Sequence, residues 1–276
     1  MKPAPFDYVA AASLEEAVAA LAAANGEARV LAGGQTLGPM LNLRLAAPRQ
    51  LVDIGRIAAL KRIGESGGKL VIGSGVTHAM LEDRSDPSPA VRLMCHVASK
   101  IAYRAVRTRG TIGGSVAHAD PAADWLATLL LLDAELTIFG AAGRRMTPIR
   151  DFMRGAFATA LAPTEVLEAI SFAKLSAGAR WGYVRIARKE GEFPEAIGAA
   201  LFDAARAEAR IVVGALDAPP RPLPALAEAV ARDGLSAAAP ERVKDAVAAA
   251  APGLDPVALQ LHSVAVGRAL RQALAS

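Results

Sequence analysis

The stretch Leu31-Ala32-Gly33-Gly34-Gln35-Thr36-Leu37 and its later counterpart, Thr111-Ile112-Gly113-Gly114-Ser115, decide how this chain is read. Each places two adjacent glycines beside a small hydroxyl residue, and the first follows directly on a strand-like run, Ala28 to Ala32. Glycine accepts positive φ and carries no Cβ to hold a ligand off the backbone. Successive amides can then point at one centre and form an anion-binding concavity. Thr36, Thr111 and Ser115 would add hydroxyl donors to that centre. Two such turns brought together could clamp a diphosphate without a lysine. Neither turn reads as the G-x-G-x-x-G dinucleotide fingerprint or as a G-x-x-x-x-G-K-[ST] phosphate loop. A lone diglycine is more often only a tight turn, so the pair, and not either member, carries the reading.

Outward from the first turn, residues 13–24 predict a helix. Ser13 and Glu16 have the spacing of a capping box, and Asn25-Gly26 provides the left-handed stop. Leu51 to Ile54 predicts a strand beyond a helical piece near Pro39 to Arg44, so the first 55 residues form a small β/α unit. Lys69 to Ser74 predicts a strand, Thr77 to Glu82 and Ser88 to about Ala105 helices, and 110–121 a turn-rich segment. Ala122 to Leu132 predicts a buried helix and Glu135 to Phe139 a strand. After Asp151, the runs 166–170, 181–187, 197–202 and 209–214 predict an antiparallel meander. Three helices follow a proline-rich stretch at 219–224: Ala225 to Ala231, Pro240 to Ala250 and Pro256 to Leu274. A domain boundary falls near residue 175, and no internal repeat is evident.

The composition narrows the function. In 276 residues, 53% are hydrophobic, 21% charged and only 4% aromatic, which allows a large core of small side chains and argues against disorder. The net charge of +4 is scattered, with no polybasic run, so nucleic acid is a poor partner. One cysteine, Cys95, excludes a disulfide framework or a cysteine-held cluster. The N-terminus has no secretory pattern and no apolar run is long enough to span a bilayer, so the expected location is cytoplasmic.

The segments LAGGQTLGPMLNLRLAAPRQLVDI (31–54) and RTRGTIGGSVAHADPAADW (107–125) resemble the FAD-binding medium subunit of the molybdenum hydroxylase family. The likeness runs from Phe6-Asp7-Tyr8 through Trp181-Gly182-Tyr183 to Ala187-Arg188-Lys189-Glu190-Gly191-Glu192-Phe193. It implies an α+β chain: a two-part FAD-binding domain of the vanillyl-alcohol-oxidase (PCMH) type, then a C-terminal three-stranded antiparallel sheet with helices. The domains would be 1–175, with subdomains of about 1–55 and 56–175, and 176–276. Carried over by position, Ala32, Gly33, Gly34, Gln35 and Thr36, with Thr111, Gly113, Gly114 and Ser115, would lie on the FAD phosphates, and Leu37 would be a further cofactor contact. Asp124 would meet the adenosine side. Ile101 and Leu161 would be apolar contacts, and Arg185 a cation beside the flavin's pyrimidine edge. The implied assembly has a large subunit with the molybdenum-pterin cofactor and a small subunit with two [2Fe-2S] clusters, as a dimer of heterotrimers. This chain would take electrons from the clusters and pass them through FAD to an external acceptor, with no acid–base residue of its own. Two departures stand out: Gly191-Glu192-Phe193-Pro194-Glu195-Ala196 replaces the family's Gly-Asp-Phe-Ala, and Leu261-His262-Ser263 stands where Arg-Arg-His is common.

Other readings remain open on the residues alone. A stand-alone flavin oxidoreductase with its own substrate pocket, or a non-catalytic assembly protein keeping the turns as structure, would use the same segments. His118-Ala119-Asp120 has too few neighbouring ligand types for a metal, and Asp120 before Pro121 predicts a helix cap. Without the resemblance, Asp124 is a first-turn helix charge. Thr77 and His78 fit either a flavin contact or a plain strand-to-helix cap. Arg107 and Arg109 fit either solvated charges or braces of the adjoining turn, and Cys95 predicts a core position.

Overall fold

A computed structural model describes residues 2–275; Met1 and Ser276, the outer ends of the expected first and last domains, lie outside the described residues. The chain opens with β1 (Asp7–Ala10), α1 (Leu14–Ala23), β2 (Ala28–Leu31), α2 (Leu37–Asn42) and β3 (Gln50–Asp53). The α1 start is the capping box read from sequence. Ser13 Oγ accepts from the Glu16 amide at 3.1 Å, while the Glu16 carboxylate reaches back to the Ala12 amide at 2.8 Å. Asn25 (φ 47°) and Gly26 (φ 86°) make its left-handed stop. The three strands form a parallel sheet in the order β1-β3-β2, so the carboxyl end of β2 delivers the first diglycine turn at the sheet's edge.

The middle of the chain follows as β4 (Ile63–Ser66), β5 (Lys69–Gly73), α3 (His78–Glu82), α4 (Pro89–Lys100), α5 (Arg104–Arg107), α6 (Ile112–His118) and α7 (Asp124–Leu131). Then come β6 (Glu135–Gly140), β7 (Gly143–Pro148), β8 (Met153–Gly155), β9 (Ala158–Thr159) and β10 (Val166–Ala173). A five-stranded antiparallel sheet runs β4-β5-β10-β6-β7. The last part holds β11 (Arg180–Ile186), β12 (Ala196–Asp203), β13 (Glu208–Gly214), β14 (Arg221–Pro222), α8 (Pro224–Asp233), α9 (Pro240–Ala250) and α10 (Pro256–Leu274).

Four sequence expectations are corrected here. The strand at 166–170 does not start the C-terminal meander: as β10 it lies between β5 and β6, because the register of a strand is settled by its partners and not by its neighbours in sequence. The meander is β11-β12-β13, and two residues of β14 add a fourth strand to the three expected. The helix expected over 88–105 stops at Lys100. Ala102 takes φ 43° and α5 begins afresh, while the turn-rich segment 110–121 contains a helix, α6.

α7 is the spine of the molecule. Asp124 to Leu129 are all buried, and Leu126 and Leu129 share one core with Ile72, Ile138 and Ile170 of the second sheet and Ile197, Leu201 and Val212 of the third. The other face of the third sheet packs on α8 and α10. The alanine-rich composition explains how closely. A Cβ on Gly182 would lie 1.9 Å from the Ala269 carbonyl oxygen, and one on Gly198 2.3 Å from the Ala265 carbonyl carbon. Backbone therefore rides on backbone along α10, while Val266 and Leu270, both buried, contribute about 1.5–3 kcal/mol each. Among the described residues no helix is long and apolar enough to cross a membrane.

Candidate functional site

The two diglycine segments meet. A Cβ built on Gly33 would lie 2.1 Å from the Arg109 carbonyl oxygen and 2.8 Å from Gly110 Cα, so the first turn sits directly on the backbone leading into the second. Gly114 lies across from Ala32, whose Cβ would be 4.0 Å from one added at Gly114. Only glycine fits at 33, and the reason is this contact, not a positive φ; Gly34, at φ 70°, supplies the left-handed bend itself.

The two turns differ in what their amides do. In the first, Gly34 and Thr36 carbonyls accept from Gly38 and Met40, both at about 3 Å, but the N–H groups of Gly33 through Leu37 meet no protein acceptor among the described residues. The half-buried side chain of Gln35 folds back on the Gly33 carbonyl at 3.3 Å. Thr36 precedes α2 without a capping bond, leaving its hydroxyl free. Five consecutive unspent donors on a partly enclosed bend suit an anion with many acceptor oxygens.

In the second segment the expected amide nest is not found. Ile112 N–H donates to Val76 O at 3.0 Å, Gly113 N–H to Ser74 O at 3.0 Å, Gly114 N–H to Thr111 Oγ1 at 3.0 Å and Ser115 N–H to Thr111 O at 3.1 Å. These amides hold the segment against the link that follows β5 and begin α6, with Thr111 as its cap. Gly113 is needed because a Cβ there would meet Ser74 Cβ at 2.3 Å. Of residues 111–115, the Thr111 amide and the Ser115 hydroxyl remain without a protein acceptor, and Gly114 offers an exposed, side-chain-free surface. The second segment is thus a rigid wall facing the donor-rich first turn.

Two buried devices fix that wall. His78 donates its amide to Gly110 O at 2.9 Å, and its ring lies against Gly110, where an added Cβ would come 3.1 Å from Nε2. Its Nδ1 accepts from the Trp125 indole at 3.1 Å, which leaves the ring proton on Nε2. Burial first, and the nearby Arg107 second, depress its pKa to about 4, so the ring is neutral. Thr77 caps α3, accepting from the Met80 amide at 3.2 Å, in keeping with the plain structural reading of that pair. The second device is Arg107. Its guanidinium grips both oxygens of Glu82 at 2.8 and 2.9 Å and donates to the Ile101 and Ala102 carbonyls at 3.0 Å each. Arg107 therefore braces the loop and holds the Glu82 carboxyl below the usual range, whereas Arg109 points its charge to solvent and contributes only its carbonyl.

Asp124 and Arg185 come together in a second cluster, while Ile101 packs partly buried against the main core and its carbonyl accepts from Arg107. Asp124, 4% exposed, accepts from the Tyr183 hydroxyl at 2.7 Å and lies 3.1 Å from Arg185 Nε. The Arg185 fork donates to Lys100 O at 2.8 Å and Glu192 O at 2.5 Å. Burial raises the Asp124 carboxyl despite Arg185 and Tyr183, and burial followed by the Asp124 charge raises the Tyr183 phenol well above its ordinary value. Neither Asp124 nor Arg185 presents a free charge: each is engaged by the other. Together they tie the end of α4, the start of α7, β11 and the loop before β12 into one joint. Leu161 follows β9, half-buried against the main core.

Several members carry no local signal: Tyr183, Glu82 and Trp125 each act through a partner distant in the chain. Asp120 accepts from the Ala122 amide at 2.9 Å in a turn before α7, not as its cap, which is Ala123. His118 lies 5.1 Å from the Phe157 ring, and Cys95, expected in the core, is half-buried with its thiol donating to Arg84 O at 3.4 Å. Among the described residues no group of three or more His, Cys, Asp or Glu is placed to hold a metal ion.

Residues 4–174 match the family model described as the FAD binding domain in molybdopterin dehydrogenase. The chain is 38% identical over 200 residues to the 6-hydroxypseudooxynicotine dehydrogenase complex subunit alpha of Paenarthrobacter nicotinovorans, covering 72% of this chain and 67% of that one. It is 37% identical over 196 residues to the carbon monoxide dehydrogenase medium chain of Hydrogenophaga pseudoflava, covering 71% and 68%. Its fold superposes on a chain of the Cu,Mo-CO dehydrogenase crystal structure with a TM-score of 0.93, at 30% identity, covering 100% of this chain and 99% of that one.

Proposed function

Because the chain belongs to the family of FAD binding domains in molybdopterin dehydrogenases, and is thus an oxidoreductase subunit with FAD as its cofactor, we propose that it relays electrons. They arrive from [2Fe-2S] clusters on a small partner subunit, and the chain passes them through FAD to an external acceptor. The large partner subunit, holding the molybdenum-pterin cofactor, would transform the organic substrate, with the three subunits arranged as a dimer of heterotrimers in the cytoplasm. When bound, FAD supplies the ability to accept electrons singly and release them in pairs.

The observation that supports this reading is the seat between the two diglycine turns. Five donors on Gly33 to Leu37 face a wall of glycine and hydroxyl groups at Thr111 to Ser115, which fits a diphosphate held by backbone. The residues present fit FAD in that respect. In our reading Ala32 to Leu37 hold the phosphates, with Gly114 and the Thr111 and Ser115 donors closing over them. Ile101, Leu161 and the Asp124–Tyr183–Arg185 joint flank the rest of the cofactor. Asp124 then acts mainly by orienting Arg185 and Tyr183, since its carboxylate is already engaged. No side chain here needs to move a proton; the chain binds, orients and screens. The proposed domains are 1–175 for the cofactor, in subdomains of about 1–55 and 56–175, and 176–276 for the remainder.

The test is reconstitution. Purified apoprotein should bind one FAD per chain, non-covalently, and release it on denaturation. Co-purification from the native host should bring down two further polypeptides with molybdenum and iron. A chain that stays colourless with FAD, or that oxidises an organic substrate unaided, would contradict the proposal.

A further inference from the structure

Away from these turns, a cavity of about 430 Å³ opens between the loop joining α3 to α4, the middle of α4, and β11. None of the residues assigned above to FAD lines it. Its walls carry three kinds of chemistry: the guanidinium groups of Arg84 and Arg92, the carboxylate of Asp86, and the indole of Trp181 backed by His96. The size is in the range of small-molecule sites, and the cavity lies where the first two-thirds of the chain meets the third sheet, a common place for ligands.

The cations are underused. Arg92 is exposed and has no ion pair among the described residues. Arg84 touches Asp86 only loosely, at 3.8 Å, and its Nε is buried with no hydrogen-bond acceptor. A buried guanidinium N–H without a partner is costly, and an anionic oxygen is its natural complement. The loop is not slack: Asp86 accepts from the Ser88 amide at 2.8 Å, and the Cys95 thiol pins the Arg84 carbonyl at 3.4 Å. On the opposite side the His96 ring packs tilted against Trp181 with centroids 5.3 Å apart, and edge-on to Tyr183 at 6.3 Å, so the indole is held as a fixed, half-buried wall. An aromatic ring can lie on it.

We propose that this cavity binds a nucleoside phosphate, its phosphate on Arg84 and Arg92, its ribose hydroxyls on Asp86 and its base against Trp181. The carboxylate selects this class: beside a bare aromatic acid Asp86 would repel, whereas sugar hydroxyls need an acceptor. The proposal does not depend on where electrons go after FAD.

The probe is AMP, added to FAD-saturated protein so that the FAD seat is already filled, and followed by calorimetry and tryptophan emission. The chain has two tryptophans and Trp125 is wholly buried, so Trp181 reports on the cavity. One AMP per chain should bind and alter the emission. Adenosine and inorganic phosphate should each bind about 10-fold or more weakly, and Arg92→Ala, at an exposed position, should weaken AMP about 10-fold while leaving FAD content unchanged. Asp86→Ala should narrow the preference for AMP over inorganic phosphate. Absence of heat and emission change with AMP would overturn the assignment. So would release of FAD by AMP, indifference to Arg92→Ala, or phosphate binding as tightly as AMP.

Discussion

Gly33→Ala isolates the contact on which the proposed cofactor seat is built. The added methyl would sit 2.1 Å from the Arg109 carbonyl oxygen and 2.8 Å from Gly110 Cα, both backbone atoms that no side-chain rotation can move away. To reach ordinary contact the two turns must part by about 1 Å. Overpacking of that kind costs about 1–3 kcal/mol in stability. The cost to the ligand is larger, because amides on the first turn and donors on the second can no longer reach one diphosphate together. Losing one or two charge-assisted hydrogen bonds, at about 1.5–3 kcal/mol each, raises the FAD Kd by between roughly 10- and 10⁴-fold. Gly38→Ala is the internal control: it lies one turn further on in α2, has nothing within 4 Å of its would-be Cβ and no positive φ. Apoprotein titrated with FAD, with flavin fluorescence as readout and thermal unfolding of the apoprotein alongside, separates the two effects. Gly38→Ala should bind as wild type and Gly33→Ala should not. A Gly33→Ala protein that binds FAD within about threefold of wild type would refute the proposal that the two turns share one ligand.

Arg107→Lys breaks the fork to Glu82 and both carbonyl contacts at 101–102; unfolding in urea should show a loss of about 2–4 kcal/mol together with weaker FAD binding, while Arg109→Ala should change neither. His78 makes stability depend on pH. The native state keeps the ring neutral down to about pH 4, whereas the unfolded chain takes up a proton near the ordinary histidine value of about 6.5. The unfolded state therefore binds more protons in that window, and stability falls as pH drops through it, by up to about 3 kcal/mol. Denaturation midpoints measured between pH 7 and 4 should show a shallower slope for His78→Gln than for wild type. Tyr183→Phe removes the donor from buried Asp124 and should cost about 1–3 kcal/mol in urea unfolding, with the loss growing as pH rises through the carboxyl's raised pKa, because the charged carboxylate is the form that needs the hydroxyl.

What could be read without coordinates was whatever depends on neighbours in sequence. The capping box at Ser13 and Glu16, the left-handed stop at Asn25-Gly26 and the three closing helices are local, since side chain and backbone a few residues apart settle them. The diglycine motifs also marked the two segments that the fold brings into contact. Tertiary structure alone decided the rest. It moved β10 into the second sheet, because strand pairing is chosen by long-range burial. It turned 112–118 into a helix capped by Thr111 whose first amides hold the link after β5, because Gly113 has to lie on Ser74. It also joined Asp124 to Arg185 and Tyr183, for a charge in a low-dielectric interior must find a partner wherever the fold supplies one, however far away in the chain.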